Sequence, residues 1–477
     1  MRGIDQAAAT GWPSCPGRSG ALALAAPRRQ RWTGAPLRLF SVAIRGTVSP
    51  FGPLAKLMRF LTLTAGFAVV AAFALACAGR DPALTDADLF RGEVLQRVDL
   101  RFGEGDWAAL KKAFRDNTYY PADLTWNGHT VARVGVRSRG HGSRSGAKPG
   151  LLVDMNRYTP GQTFLGLKAL VLDNLTQDAS GVRETVAMRF YSRLNVPAPR
   201  EAHTRLYVNG DYAGLYVIIE EVDEFLVSRL FGHVDHAGQD AGYLFEFNYT
   251  TGVPWRFDYL GPKLAPYKDR FDIKDKHGRA DDAIWGPVET LTRLASETSP
   301  DAFADTIKAH LDLEAFMRYV AAQNFVAQHD GLLGYAGANN FYLYRRSGGS
   351  HVFIAWDEDN AFASPDFALD TRHDENVVMR KLMAQDALRA RYYGLLQTAA
   401  AAAAEVTPGR PDGWLRGEIK AQLDLIARAK YDDLQSPFSS HEQFAAQELM
   451  LGFPAARVRF VACQLARQSG TPAAGCQ

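Results

Sequence analysis

Apolar and polar residues alternate along several stretches between residues 94 and 222, and this period of two is the pattern of half-buried β-strands. The first stretch is LQRVDLRF, beginning at Leu95. Further alternating runs meet at Asn127-Gly128 and again at Asn209-Gly210, and Asn-Gly between two such runs favours a tight hairpin. A helical pattern, SGVRETVAMRFYSRLN, lies between the two hairpins. We therefore predict a β-rich N-terminal lobe over residues 94–222.

From residue 223 the spacing of apolar positions changes to the 3.6-residue period of helices. EFLVSRLFG and LEAFMRYVAAQNFVAQHD show this period, as do the long segments after residue 376. Two strand-like runs, NNFYLYRR and HVFIAW, interrupt the helices and are joined by SGGS. We predict a mostly helical C-terminal lobe over residues 223–470 with one embedded β-hairpin, and an α+β fold for the whole chain. A cleft between two such lobes is a favoured place for a ligand.

The N-terminal segment differs in character from both lobes. Residues 1–57 are rich in Arg, Pro, Gly and Ala, and we predict a non-native or disordered leader, with translation beginning at Met58. Residues 58–76 have a basic start and an apolar stretch ending in small residues before Cys77, which is the pattern of a lipoprotein-like signal peptide. The uncharged run over 60–79 is also long enough for a transmembrane anchor.

From this segment we expect an exported, membrane-anchored lipoprotein of the bacterial cell envelope. The attachment to the membrane would be a lipid on Cys77 or an anchor helix, and residues 77–93 would form a linker to the first lobe.

Composition narrows the classes of partner and cofactor. Of 477 residues, 47% are hydrophobic and 22% are charged, and the formal net charge is only +2. A chain without a strong positive charge lacks the electrostatic footprint of a nucleic-acid-binding protein, so we expect no nucleic-acid partner.

The four cysteines show no zinc-site spacing. Cys463 and Cys476 form a disulfide if the protein matures in an oxidising compartment, and are otherwise a buried thiol and a free thiol; the sequence leaves both open.

The strand HVFIAW ends in three acids, Asp357, Glu358 and Asp359. A tight hairpin places the end of this strand beside the start of its partner, where Asn339 and Asn340 lie. Carboxylate and amide oxygens gathered in this way suit a hard cation such as Mg²⁺, although acids after a strand also serve as ordinary turn residues. Alternation of side chains directs Glu358 away from its two neighbours.

Several other polar residues are candidates for binding or catalysis. RSRGHGSRSGAKPG, over 137–150, is a Gly-rich connection with Lys148 near its end; such a loop can offer N–H groups and cations to phosphate oxygens, or can simply be a mobile turn. Asp330 is predicted to end a helix, where its negative charge is unfavourable against the helix dipole. Arg183 follows a predicted helix start, where helix capping is the ordinary interpretation. Glu220 ends a strand where the two lobes meet, and solvation is the ordinary interpretation of an acid in that place.

These pieces together resemble the CotH kinase family. The residues that carry the resemblance are RSRGHGS with Lys148, DNLTQDASGVRETVAMRFYSRLNVPAPR, RLYVNGDYAGLYVIIEEVD, and the pair QHD…NNFYLYRR and FIAWDEDNAF, over roughly residues 95–465. The resemblance implies an atypical protein-kinase-like, two-lobed fold that binds ATP with Mg²⁺ (or Mn²⁺) between its lobes. It also implies transfer of the γ-phosphoryl group to Ser or Thr of a protein substrate.

The family resemblance also implies roles for individual residues. Lys148 would contact the phosphates, Asp330 would be the catalytic acid, and Asp357 would be the principal metal ligand, supported by Asp359 and Asn340. Arg183 and Glu220 fall in family motifs and are expected at the cofactor. One departure is Glu246, in GYLFEFNY, which lies where many relatives have Lys.

Two other functions compete with the kinase. The first is a non-catalytic surface or assembly protein that keeps the fold as a binding module, since a fold does not fix a function. The second is a metal-dependent hydrolase that would use His329, Asp330, Asp357 and His373, although the chain has no His-x-x-x-His pair to support it.

Overall fold

The computed structural model describes residues 84–232, 242–250, 252–274, 280–470 and 476. The predicted leader, the predicted signal peptide and Cys77 lie outside the described residues.

Seven strands between residues 96 and 220 form a closed barrel. They are β1 (Gln96–Phe102), β2 (Tyr120–Trp126), β3 (His129–Arg139), β4 (Gly150–Asp154), β5 (Ala169–Asp173), β6 (Glu201–Val208) and β7 (Asp211–Glu220). Their order around the barrel is β1-β2-β3-β4-β5-β7-β6. Neighbouring strands are antiparallel except β1 and β6, which run parallel and close the barrel.

Both predicted Asn-Gly hairpins are present in the barrel. Asn127 and Gly128 have φ angles of 50° and 80°, and Asn209 and Gly210 have φ angles of 52° and 94°. Two consecutive positive φ angles define the turn that matches the twist of the flanking strands, and Asn-Gly adopts them at low cost. The local sequence therefore fixes the register of both hairpins.

The alternating apolar residues of the strands fill the barrel interior. Val98, Leu100 and Val136 are at most 1% exposed, and the indole nitrogen of Trp126 donates a 2.9 Å hydrogen bond to Gln96. The barrel thus has its own packed core and gives a rigid support to the loops that leave it.

The residues after the barrel form helices around a second sheet. That sheet contains β8 (Tyr243–Phe247), β9 (Phe271–Ile273), β10 (Phe341–Arg345) and β11 (His351–Ala355), in the order β11-β10-β8-β9. The predicted SGGS hairpin is β10 and β11. The sheet has two further strands because β8 and β9 are short and pair with residues far away in sequence, which local patterning does not show.

Twelve helices are assigned within the described ranges. In chain order, α1 to α12, they are Asp86–Leu89, Asp106–Lys112, Arg183–Arg193, Glu224–Phe231, Ala265–Lys268, Asp281–Glu297, Phe303–Ile307, Leu313–Phe325, Val377–Met383, Asp386–Ala404, Trp414–Tyr431 and Ser440–Ser469.

The helix that interrupts the barrel strands, α3, joins the barrel to the later helices. Its residue Phe190 packs against Phe325 at 5.4 Å and against Trp414 at 6.0 Å between ring centroids. Residues of α3, of the second sheet and of the C-terminal helices share one large apolar core. The fold is therefore mixed α and β, as predicted, and its division into two kinase-like lobes stays a prediction.

The C-terminal helix α12 carries a disulfide. Cys463 is bonded to Cys476, with 5.3 Å between their Cα atoms, which decides between the two alternatives that the sequence left open. Helix α12 also has the length and apolar composition of a membrane span. Core helices of soluble proteins meet the same criteria, so this property does not establish a membrane location.

Candidate functional site

The acid triplet lies at the open end of the β10–β11 hairpin. The pairing of Phe341 with Ala355 brings Asn340, one residue before Phe341, and Asp357, two residues after Ala355, to the same end, as the hairpin geometry predicted. Both have left-handed backbones, with φ angles of 56° and 54°. Asn and Asp tolerate this conformation better than other side chains, so the sequence suits the two sharp turns that end the hairpin.

Asp330 lies beside the two asparagines rather than at a helix end. Helix α8 stops at Phe325, and Ala327 turns the chain with a φ angle of 54°, so the predicted helix end at Asp330 is wrong. The Nδ2 atom of Asn339 donates to Asp330 Oδ2 at 3.3 Å, and that of Asn340 donates to its carbonyl at 3.1 Å. Burial raises the pKa of Asp330, and the bond from Asn339 opposes this rise.

Glu358 points away from Asp357 and Asp359, as predicted. Its carboxylate accepts hydrogen bonds from the Tyr191 hydroxyl at 2.9 Å and from Gln323 Nε2 at 2.8 Å. Burial raises the pKa of Glu358 to about 8. Because both carboxylate oxygens of Glu358 already accept hydrogen bonds within the helical core, Asp357 and Asp359 are the candidate metal ligands of the triplet.

A small cavity lies beside Asp359. It is lined by the Gly-rich connection at Ser143, by Asp173 at the end of β5, by Asp178 of the turn that follows, and by Glu184 in the first turn of α3. Its volume is about 10 Å³, which is room for roughly one water-sized particle. Four carboxylates, three of them from residues 173–184 and one from Asp359, therefore surround a space of the size of one ion.

The Gly-rich connection is held against this turn. The Nδ2 atom of Asn174 donates to the carbonyls of Ser143 and Lys148, at 3.0 and 2.8 Å, and the Thr176 hydroxyl donates to the Ser143 carbonyl at 3.3 Å. These bonds favour a fixed loop over the mobile turn that was the alternative interpretation.

The acids around the cavity have too few cations to balance them. Burial, and next the charge of Asp173, raise the pKa of Asp357 to about 6. Burial is also the main cause that raises the pKa of Glu184 and Asp359, followed by the charges of Glu201 and Asp357 respectively. A divalent cation would favour the ionised forms of these groups.

A cation on the barrel, Arg139 at the end of β3, lies close enough to Asp357 to be influenced by its charge. Its guanidinium lies 4.8 Å from the centre of the Trp356 ring. Burial lowers the pKa of Arg139, but the combined attraction of groups that include Glu221, Glu246 and Asp357 raises it above its ordinary value. Arg139 therefore stays charged beside the acid triplet.

The donor set fits a hard cation in its chemistry, since it consists of carboxylates and an Asn amide oxygen. Within the described residues, however, no three or more His, Cys, Asp and Glu side chains are already arranged to hold a metal ion.

Lys148 takes part in a buried ion pair. Its Nζ atom lies 2.6 Å from Oδ2 of Asp433, and the two side chains are 2% and 3% exposed. Asp433 also accepts a 3.0 Å bond from the amide of Leu215. Burial lowers the pKa of Lys148, while the attraction of Asp433 opposes this change.

Arg183 is the first residue of α3. Its backbone amide donates to Oδ2 of Asp178 at 2.8 Å, while its Nε atom lies 3.7 Å from Oδ1 of the same carboxylate. That Nε atom is buried and has no hydrogen-bond partner among the residues that the structure describes. Arg183 therefore lies next to the cavity through Asp178.

Glu220 belongs to a different ion-pair network. It is fully buried, and its two carboxylate oxygens accept from Arg200 and Arg229 at 2.6 to 3.2 Å. It pairs with Leu170, at the other end of β5 from Asp173. Its arginine partners already satisfy both oxygens of Glu220, so nothing in its surroundings favours the predicted cofactor contact.

The family to which the chain belongs follows from a comparison with known protein families. The model of the CotH kinase protein family matches residues 136–403. The chain belongs to this family.

Two known proteins show how far the similarity extends. The CotH-family chain is 25% identical, over 258 residues, to inner spore coat protein H of Bacillus subtilis (strain 168). The alignment covers 53% of the chain and 65% of that relative's length. The crystal structure of the Helicobacter pylori proinflammatory kinase CtkA aligns with 67% of this chain and 95% of its own, at 11% identity. The TM-score of that match is 0.27, too low to carry an argument about the fold.

The segment that matches the CotH family contains all seven residues predicted from sequence. Six of them lie around the hairpin end, the cavity or the Gly-rich connection, and Glu220 lies in its arginine network. Asp433, the partner of Lys148, lies outside the matched segment. For the hydrolase alternative, the structure shows only that His373 is buried with its ring packed edge-on against Tyr392; that alternative stays a prediction.

The sequence interpretation missed Arg139, Asp173 and Glu184. Asp173 had a usable signal, since it ends the apolar strand ALVLD as Asp357 ends FIAWD. Glu184 had none, because an acid in the first turn of a helix is common for electrostatic reasons alone.

Proposed function

We propose that this CotH-family protein is an exported atypical kinase that transfers the γ-phosphoryl group of ATP to Ser or Thr of envelope or secreted proteins. The observation that carries the proposal is the ion-sized cavity between the Gly-rich connection and Asp173, Glu184 and Asp359. Phosphoryl transfer depends on positioning and charge neutralisation more than on covalent chemistry. In this proposal the barrel and the helical region are the two lobes of a kinase-like fold.

The acids would hold Mg²⁺ or Mn²⁺, which supplies charge neutralisation to the phosphate oxygens. Asp357 and Asp359 are the proposed principal ligands, with Asp173 and Glu184 beside them. The Nδ2 atom of Asn340 is engaged by Asp330, so its Oδ1 atom is the one that would face a cation. Lys148, held at the end of the Gly-rich connection, would contact the phosphates.

Asp330 is the proposed acceptor of the proton from the substrate hydroxyl. Asn339 and Asn340 orient it, and its raised pKa brings it closer to the range that suits a general base. This arrangement also explains why two asparagines enter β10 together.

Two observations support export. Residues 58–77 have the pattern of a lipoprotein signal, with the lipid proposed on Cys77. The Cys463–Cys476 disulfide is typical of proteins that mature in an oxidising compartment.

One observation favours the second candidate, a non-catalytic binding module. Lys148 is shielded from solvent and already paired with Asp433, as expected for a residue that only stabilises the fold. A module of this kind would bind neither nucleotide nor divalent cation at the hairpin end.

The deciding experiment uses the chain from residue 78 onward, with labelled ATP and either Mg²⁺ or Mn²⁺. We expect self-phosphorylation on Ser or Thr, transfer to an added envelope-protein fraction, and stabilisation by nucleotide with the cation. Asp357→Ala should abolish both the transfer and the metal-dependent binding of nucleotide. Asp370→Ala, an exposed acid later in the same loop, is the matched control and should keep them.

The two candidate functions give different results. Full transfer by the Asp357→Ala protein would refute the role of that residue. A wild-type protein that is not stabilised by ATP with either cation would favour the binding module.

A further inference from the structure

A buried lysine outside the segment matched by the family lies next to the site. Lys430, in the last turn of α11, is 7% exposed. Its Nζ atom lies 3.1 Å from the position that a Cβ atom on Gly181 would occupy. No hydrogen bond from this amine to an acceptor is present among the described residues. Because a buried ammonium group is costly without a partner, its position requires an explanation.

The turn that faces Lys430 leads directly into α3. Gly181 has a φ angle of 79°, and Asp178 in the same turn accepts hydrogen bonds from the amides of Ser180 and Arg183, both at 2.8 Å. Within the described part of the chain, the Nε atom of Arg183 is buried without a hydrogen-bond partner. Two cationic side chains thus flank the N-terminus of an 11-residue helix, and the partial positive charge of a helix N-terminus also attracts anions.

Lys430 is the cation beside this turn that lacks a bonded anion among the described residues. The other two cations of this region have an anion beside them: Lys148 pairs with Asp433, and the Nε atom of Arg183 lies 3.7 Å from Asp178. Asp433 is already occupied by Lys148 and by the Leu215 amide. Burial lowers the pKa of Lys430 to about 8, against the attraction of Asp178. An anionic ligand would supply a partner for Lys430 and a hydrogen-bond acceptor for the Nε atom of Arg183.

The position of this turn indicates the kind of anion that would bind at the N-terminus of α3. Asp178 and Glu184, on either side of Arg183, line the ion-sized cavity together with Asp359. An anion at the N-terminus of α3 would therefore lie next to the proposed metal, as the phosphate groups of a metal–nucleotide complex do.

We propose that Lys430 and Arg183 form, with the N-terminus of α3, a binding site for the phosphate groups of the nucleotide. The end of α11, outside the segment shared with the family, is thus part of the site. The identity of the ligand as a nucleotide rests on the proposed function.

The test replaces Lys430 by Met, which keeps the length of the side chain and removes its charge. A hydrogen bond to a charged group contributes roughly tenfold or more in affinity, so we expect Lys430→Met to weaken binding of Mn²⁺·ATP about tenfold in calorimetry. Lys430→Arg should retain most of the affinity. Lys420→Met, on the exposed surface of the same helix, is the control and should bind as wild type does.

A purely structural lysine would behave differently. Replacing it by Met would maintain or raise the unfolding temperature and leave the affinity for Mn²⁺·ATP unchanged, and this result would overturn the proposal. Lys430→Gln provides a second neutral variant if the Met protein does not fold.

Inorganic tripolyphosphate separates this inference from the proposed function. Binding of tripolyphosphate by wild type, weakened by Lys430→Met, supports the site even if no phosphoryl transfer occurs. Phosphoryl transfer by wild type, with unchanged affinities for ATP and tripolyphosphate in Lys430→Met, refutes the site and leaves the kinase proposal intact. A wild-type protein that binds neither ligand refutes the inference.

Discussion

Two acidic regions in this protein, one buried and one half-buried, differ in how their charge is balanced. Glu220 ends strand β7 and is enclosed by Arg200 and Arg229, with Asp86 completing the network through Arg200. Asp173 ends strand β5, and beside it Asp357 and Asp359 share their surroundings with further acids and few cations. The residue types and the strand-end positions are similar. The comparison shows that a buried acid indicates a ligand only where the protein has not already supplied its counter-charge.

The largest change in stability is expected from replacing Glu220, the acid whose charge is balanced by arginines. Glu220→Gln leaves two partly buried arginines without their carboxylate, and removal of one partner of a buried ion pair costs about 3 kcal/mol or more. We expect the free energy of unfolding, measured in urea, to fall by roughly this amount, while binding of Mn²⁺·ATP is retained by the folded fraction. Glu224→Gln, which breaks a solvent-exposed pair with Lys168, should change stability by less than about 1 kcal/mol.

The unbalanced region should respond to a divalent cation. A ligand at about a hundred times its Kd stabilises a folded protein by about 2.7 kcal/mol, so saturating Mn²⁺ with ATP should raise the unfolding temperature of wild type. Asp359→Asn should lose most of this rise, and Glu220→Gln should keep it. Equal losses in the two variants would remove the distinction between the regions.

Removing one negative charge should change the free energy of unfolding in different directions in the two regions. Without metal, Asp357→Asn removes a half-buried negative charge that other carboxylates repel, so we expect the free energy of unfolding to stay the same or to rise by about 1 kcal/mol. Glu220→Gln lowers it under the same conditions. A marked destabilisation by Asp357→Asn in metal-free buffer would contradict an unbalanced cluster.

The smallest effect concerns a buried group in neither acidic region. Burial lowers the pKa of His203 to about 4, and its ring contacts the carbonyl of Gly181 at 2.8 Å. The folded state keeps the His203 ring neutral, whereas the unfolded chain protonates it below the ordinary pKa near 6.5. The free energy of unfolding is therefore highest above pH 6.5 and decreases as pH falls towards 4. We expect a loss of about 1 kcal/mol between pH 7.5 and pH 6, measured by urea unfolding. This slope should be smaller in His203→Gln.

Much of the fold was predictable because it depends on neighbours in the chain. The Asn-Gly and SGGS hairpins follow from backbone preferences at a few adjacent residues, and α3 follows from the period of its apolar positions. The strands β8 and β9 were not predicted, since they are short and their partners are distant in sequence. The end of α8 was placed too late because the apolar pattern continues past the left-handed turn at Ala327.

The sequence by itself determined the membership in the CotH family, the convergence of Asn340 and Asp357, and the direction of Glu358. These features depend on motif order, on hairpin geometry and on side-chain alternation, which all act over short distances. Only the tertiary structure decided which charges meet. It placed Asp173 and Glu184 at the cavity with Asp359, joined Lys148 to Asp433 across 285 residues, and enclosed Glu220 with arginines. Electrostatic balance depends on distance and burial in space, and a linear pattern of charges does not encode either.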